Sequence, residues 1–390
     1  MRAHALGVRS PPLRGILEPV DAAGAPAPPD TWLLAAVGTL VGIGMVMIFS
    51  ASSATAYAHY HDTAYFFKRQ MVWLAVAGVC GYAAYRLDYR VLRRWAPAVT
   101  VAAALALIAV MIPHLGVGAG GSRRWLGSAA LSFQPSEFAK LALVIYIAAA
   151  VTYNPDRIRS LTRGVWPLLI VSFAMAGLVL VEPDMGTASI LVFVAFTLLF
   201  IAGARIPHLI MVLLAIIPPF ALSVLAAPYR RARIFAFLDP WKDPQNTGFH
   251  IVQSLLALGS GGAFGLGLGL SRQKFFYLPE QYTDFIFAIV GEELGLLGAL
   301  FVVALFLIFA YRATRIALAA PDDFGFFLAI GCTTMIVIQA FINIGVTTAS
   351  WPVTGVPLPF ISFGGSSLIA SLIAVGLILN VGRRRACASL

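Results

Sequence analysis

Ten apolar runs, each of 17 residues or more, dominate this chain and decide what it can fold into. They fall at about 32–49, 67–85, 95–113, 137–153, 165–181, 187–203, 207–226, 284–311, 324–346 and 362–382. A spanning helix needs about 20 mostly apolar residues, so ten crossings take roughly half of a chain of this size. With 60% hydrophobic and only 11% charged residues among 390, the chain lies far from soluble domains, which carry about 25% charged residues. Disorder, fibrous repeats and a disulfide scaffold are excluded on the same ground. The expected fold is all-α: a polytopic membrane protein of about ten transmembrane helices.

Residues 1–30 are Pro/Ala-rich without an apolar core and read as a disordered tail. The first run is longer and later than a signal-peptide core of about 7–15 residues, so it reads as an uncleaved span. Residues 31–382 form one membrane domain, and 383–390 a second short tail. The one long connection, 227–283, separates the seventh and eighth runs, and loops of that length are commonly functional or disordered. Cys80, Cys332 and Cys387 have no CxxC partner or metal-ligand spacing and read as small hydrophobes.

The formal charge of +10 raises the question of nucleic acid. The basic residues, however, are scattered over the ends of apolar runs, which is a topology signal, and anionic lipid headgroups supply the counter-charge. With the N-terminus inside, short inner segments hold sixteen Lys and Arg against four in short outer loops. Both termini are therefore expected in the cytoplasm and the 227–283 connection outside. No nucleic-acid partner is expected.

Ionisable residues at membrane depth are costly and point to function by default. Glu137, Glu182, Asp184, Glu280, Asp284, Glu292 and Glu293, with Lys140, Arg123 and Arg124, all fall at or just below outer helix ends. Asp284 opens the eighth run; in the bland alternative Thr283 caps that helix and Asp284 merely suits its dipole. At about 100° per residue, Ala288, Gly291 and Gly295 line up beneath Asp284. Such a stripe of small residues admits a neighbouring helix or a lipid chain. Glu292 and Glu293, roughly 12–14 Å deeper, must pair with basic groups or hold a proton. Glu137 and Lys140 share a helix face, as an internal ion pair or as substrate contacts. Asp184 serves a turn or a helix cap, or meets substrate.

The glycine-rich run Gly259–Gly269 has no preceding strand and no Walker lysine, so it reads as tight backbone packing rather than a nucleotide loop. In the long outer connection, Arg230, Arg231, Arg233, Arg272 and Lys274 suit a pyrophosphate, or equally lipid headgroups. No metal-ligand motif or nucleophile elbow is present. No cofactor is evident, with a divalent cation (Mg or Mn) left open.

The stretch Ser271–Gly295, including Leu278-Pro279-Glu280 and Thr283-Asp284-Phe285, closely resembles the SEDS family (FtsW, RodA and SpoVE). The Pro357–Ser367 block, Arg124-Trp125, the Gln134–Lys140 run and Glu182–Thr187 carry the same resemblance, in family order from Trp32 to Gly382. The Gln273–Glu280 wording is nearer the FtsW branch than the RodA branch. Val346–Pro352 and Phe363 depart from the usual family wording.

The resemblance implies a peptidoglycan glycosyltransferase that polymerises lipid II on the outer face of the bacterial cytoplasmic membrane during cell division. It forms β-1,4 bonds with inversion and releases undecaprenyl diphosphate. Asp284 matches the family's essential catalytic position, and one carboxylate suffices as general base because the leaving group is already activated. Glu137, Lys140 and Asp184 match its other functional polar positions, with Arg124, Arg272 and Lys274 read as substrate-binding. Expected partners are lipid II, a class B penicillin-binding protein and other division proteins. The rival readings are a lipid II flippase, a scaffold that recruits a transpeptidase, and an elongation role.

Overall fold

The computed structural model describes residues 28–112, 116–119, 122–127, 132–275 and 277–384. Most of the expected N-terminal tail, and residues 385–390 of the C-terminal one, lie outside the described residues. Every apolar run becomes a helix. They are α1 (Thr31–Tyr60), α2 (Tyr65–Arg86), α3 (Arg90–Met111), α4 (Pro135–Tyr153), α5 (Trp166–Val181), α6 (Met185–Ile201) and α7 (Ile206–Ala226). Two further helices, α8 (Pro228–Leu238) and α9 (Phe249–Gly261), precede α10 (Ile286–Leu318), α11 (Asp323–Thr347) and α12 (Gly365–Arg384). Seven helical spans, α1, α3, α4, α5 together with the turn before it (Leu161–Val181), α10, α11 and α12, are long and apolar enough to cross a membrane. With α2, α6 and α7 they account for the ten runs, and the chain is a multi-pass membrane protein.

Two features go beyond the sequence expectation. The 227–283 connection is structured rather than open, holding α8 and α9. Between α3 and α4 lies a small antiparallel sheet, ordered β1 (Gly116–Ala119), β2 (Ser122–Gly127), β3 (Ser132–Phe133).

Three ion pairs collect at one end of the bundle. Asp30 caps α1 through the Leu33 amide at 2.9 Å and receives the Arg312 guanidinium from the end of α10. Asp322 caps α11 and accepts from Arg90 at 3.0 Å and from the Tyr89 hydroxyl at 2.7 Å. Asp88 meets Arg384 at 3.2 Å. The start of α1, the α2–α3 link, the end of α10, the start of α11 and the end of α12 thus share one end, as alternating spans require. Inside the bundle α12 lies along α2, where a Cβ on Gly376 would stand 2.2 Å from the Gly81 carbonyl oxygen. Close backbone approach of this kind drives helix association without a hydrophobic term.

Helix α10 is broken at Gly295, whose φ of 69° and ψ of −169° leave helical space. Backbone groups freed inside a membrane need new partners, and the glycine-rich run supplies them. Leu266 and Gly267 donate their amides to the Glu292 and Glu293 carbonyls, each at 3.0 Å. In return Leu296 and Leu297 donate to Gly262 and Ala263 at 2.9 and 3.2 Å. A Cβ on Gly261 would lie 2.0 Å from the Gly291 carbonyl. The small stripe below Asp284 therefore receives the chain's own backbone.

Glu292 and Glu293 are both 1% exposed and find no cation among the described residues. Glu292 accepts from the Ser271 hydroxyl and the Arg272 amide, and Glu293 from the Ser50 hydroxyl at 2.6 Å and the Ser271 amide at 3.3 Å. They latch the chain before Asp284 onto α10 and α1.

Candidate active site

At the end of the bundle away from those ion pairs, a cavity of about 700 Å³ opens. Its walls come from β2, the start of α4, the α5–α6 turn, α8, the segment before α10 and the 355–367 stretch. Arg124, Arg230, Arg233, Glu280 and Asp284 are its charged lining.

Asp284 is not a first-turn helix residue. Helix α10 begins at Ile286 after Phe285, which makes no side-chain cap. The Thr283 hydroxyl bonds instead to the Glu280 carboxylate at 2.8 Å. The cap explanation for the Thr-Asp pair therefore fails: the chain turns through Glu280 at φ 53°, whose carbonyl accepts from the Thr283 and Phe285 amides.

Three anchors hold the turn. Asn343 of α11 donates to the Asp284 and Val356 carbonyls, both at 2.7 Å. The Ser362 hydroxyl donates to the Thr283 carbonyl, and the Phe363 amide to that of Tyr282 at 2.9 Å. Opposite the carboxylate, a Cβ on Gly355, at φ +70°, would stand 3.3 Å from Asp284 Oδ2. The Thr283-Asp284-Phe285 and Pro357–Ser367 motifs, far apart in sequence, are thus one structure. Burial pushes the Asp284 carboxyl up to about 7; Glu280 and Asp184 add to the rise while Arg124 and Arg233 oppose it.

Asp184 caps α6, accepting from the Thr187 amide at 3.0 Å and its hydroxyl at 2.9 Å. It is 1% exposed and acts on Asp284 as a nearby charge. Its neighbour Glu182 is 2% exposed with both carboxyl oxygens unbonded. Burial, with Asp184 adding, pushes Glu182 up to about 8 against the opposing Arg124. Arg124 bonds to main chain: Nε donates to the Glu182 carbonyl at 3.0 Å and Nη2 to that of Pro183. Arg230 and Arg233 donate to the Leu180 and Val353 carbonyls at 2.9 and 3.1 Å.

Glu137 and Lys140 form the internal ion pair at 3.0 Å, each 1% exposed. Lys140 also donates to Gln339, whose amide reaches the Pro357 carbonyl at 2.9 Å and Ser367 Oγ at 3.3 Å. Pro357 and Ser367 line the cavity, so the pair sits directly behind its wall. Arg272 and Lys274 do not line it: Arg272 is exposed, and the buried Lys274 ammonium donates to the Gly269 carbonyl. Of the loop cations, Arg230 and Arg233 on α8 take the cavity positions. Ser362 lies in the Pro357–Ser367 block, whereas Asn343 belongs to no motif; an Asn inside the apolar 324–346 run is the available signal. Among the described residues no three His, Cys, Asp or Glu side chains gather to hold a metal.

Comparison with known proteins agrees with this geometry. The family model for FtsW, RodA and SpoVE, described as cell cycle protein, matches residues 31–386. Stage V sporulation protein E of Bacillus subtilis (strain 168) is 44% identical over 355 residues, 91% of this chain and 97% of that protein. The probable peptidoglycan glycosyltransferase FtsW of Trichlorobacter lovleyi is 43% identical over 352 residues, 90% of this chain and 92% of that one. A chain from a structure on the coordination of polymerization and crosslinking by a peptidoglycan synthase complex superposes with a TM-score of 0.75. It is 30% identical, covering 92% of this chain and 98% of its own. Rod shape determining protein RodA of Thermus thermophilus gives a TM-score of 0.66 at 27% identity, over 92% of this chain and 97% of that one. A match running through nearly every helix, with the motifs meeting at one cavity, means that the chain belongs to the FtsW, RodA and SpoVE family of cell cycle proteins.

Proposed function

We infer that this chain is a peptidoglycan glycosyltransferase that polymerises lipid II at the outer face of the bacterial cytoplasmic membrane, in the division-type role. The observation that carries the reading is Asp284: a buried carboxyl, raised to about 7, in a cavity whose other charged lining is three arginines and Glu280. Asp284 takes the proton of the acceptor sugar's 4-hydroxyl as its oxygen attacks the donor's anomeric carbon. The bond from that carbon to the diphosphate oxygen breaks, and undecaprenyl diphosphate leaves with inversion. A base whose pKa lies near the working pH suits this task. Arg124, Arg230 and Arg233 balance the charge that builds on the departing diphosphate.

Asp184 and the Glu137–Lys140 pair act from behind the wall, fixing its shape. Arg272 and Lys274 serve the chain path into the Asp284 turn, since the Lys274 carbonyl accepts from Gln281 at 2.9 Å. The relative from a peptidoglycan synthase complex supports pairing with a crosslinking enzyme, for which a class B penicillin-binding protein is the proposed partner. The test is a vesicle assay with purified protein and lipid II, alone and with that partner, scoring glycan length and transbilayer movement separately. Polymer that depends on Asp284 is the expected result. Lipid movement without polymer in either arrangement would replace the reading with a flippase.

A further inference from the structure

A second cavity, of about 330 Å³, lies at the other end of the same helices. The Asp284 cavity touches the start of α4 and the turn after α5, whereas this one touches the end of α4 and the start of α5. Helix α4 has 19 residues, about 28 Å at 1.5 Å per residue, close to the hydrocarbon thickness of a bilayer. The second cavity therefore sits at the headgroup level of the opposite leaflet. Exposed Trp95 and Trp166 adjoin its lining residues Ala96 and Pro167 in the chain, and indole rings favour that depth.

Its lining carries Arg93, Arg157 and Arg163, two tyrosines, Tyr146 and Tyr153, and no acid. Asp156, the one acid of the α4–α5 connection, is exposed and outside the lining. Arg93 has a single long bond, to the Thr152 carbonyl at 3.4 Å. Arg157 and Arg163 make no side-chain hydrogen bond or ion pair among the described residues, unlike Arg90, Arg312 and Arg384 at the same end. The connection is built to hold them: a π turn runs from Leu161 to Val165, and a Cβ on Gly164 would lie 2.0 Å from the Arg157 carbonyl. Isolated π turns recur at functional sites. Beside the cavity, α3 and α5 present lipid-facing side chains such as Val101, Leu105 and Ile170.

We propose that this cavity binds the phosphate headgroup of an anionic phospholipid in the leaflet opposite the Asp284 site, with the acyl chains lying along α3 and α5. Planar guanidinium forks match phosphate oxygens in pairs, and basic pockets between helices on the cytoplasmic side are suited to such headgroups. The adjoining apolar surface favours a lipid over free phosphate.

The test compares lipid retention by mass spectrometry, using the full chain taken from vesicles of phosphatidylglycerol and phosphatidylcholine. The Arg93→Gln, Arg157→Gln, Arg163→Gln variant is expected to lose bound phosphatidylglycerol about tenfold, as loss of charge-assisted bonds implies. An equal-charge control, Arg94→Gln, Arg159→Gln, Arg205→Gln, is expected to keep it. Equal loss in both would reduce the effect to general attraction and overturn the site, as would no loss in either. Displacement of the lipid by millimolar inorganic phosphate would overturn the lipid assignment in favour of a free anion. Arg163→Gln alone removes no intramolecular bond, and its reduced retention is the reading should the triple variant not fold.

Discussion

Replacing Asp284 with Asn keeps the shape of the side chain and removes the proposed base. Loss of general-base catalysis costs about 10²–10⁴ in rate, so lipid II polymerisation is expected to fall to the background of the assay. The raised carboxyl makes a sharper expectation for the wild type. With the pKa at about 7, the ionised fraction is about one-eleventh at pH 6, about half at pH 7 and about ten-elevenths at pH 8. Single-turnover polymerisation should therefore rise about tenfold from pH 6 to pH 8. Stability moves the other way. The folded carboxyl holds its proton up to about 7, against 3.8 for a free Asp, so the native state binds more protons than the unfolded one between those values. Its stability falls as pH rises through that window. The Asn variant lacks this slope and should melt higher than wild type at pH 8, with the two converging near pH 4. An inactive but more stable variant cannot be explained by misfolding. Substantial polymer from Asp284→Asn, or a rate independent of pH between 6 and 8, would refute the assignment.

Glu182→Gln should match wild type at pH 7 and outperform it at pH 9 in the same assay, because a carboxyl raised to about 8 ionises there and offsets Arg124. Lys140→Met strands Glu137 as a buried uncompensated charge and should cost about 3–5 kcal/mol in denaturant unfolding. Adding Glu137→Gln should recover much of that stability, and a well-folded but inactive Lys140→Met would instead give the lysine a direct substrate role. Gly265→Ala places a Cβ 2.2 Å from the Glu293 carbonyl at φ +83° and should lower stability by about 2 kcal/mol or more, read as a fall in melting temperature.

The spans were legible because hydropathy is a local property: each run carries its own signal whatever it packs against. Asp284 was legible for the complementary reason, a carboxyl where apolar surroundings make one costly. What escaped were pairings across sequence. Nothing local tells that Leu266 and Gly267 will bond to the carbonyls of Glu292 and Glu293, so the break at Gly295 was invisible and the small stripe was left open to a helix or lipid. The choice of cations failed similarly. Arg230, Arg233, Arg272 and Lys274 look alike in one connection, and only the course of α8 brings the first two to the cavity. Thr283 had the cap chemistry, but the Glu280 turn captured its hydroxyl first.

The cavity asks two opposed things of its charges. A departing diphosphate wants cations, yet cations beside Asp284 hold its carboxylate ionised and make it a weak base. The site meets both demands by the partners it allots to each group. Arg124 is fastened by the carbonyls of Glu182 and Pro183, which fix its position and leave its charge uncancelled. Glu182, whose own carbonyl accepts from Arg124, has its carboxyl raised by burial and remains largely protonated at neutral pH. Asp184 spends both oxygens on Thr187 and acts on Asp284 only as a fixed negative charge, working with Glu280 against Arg124 and Arg233. The carboxyl at about 7 is the resultant of these charges with burial. The bland cap at Asp184 and the proposed base at Asp284 are therefore parts of one electrostatic arrangement: burial raises the carboxyl most, Glu280 adds to it, and the cap holds in place the further charge that does the same.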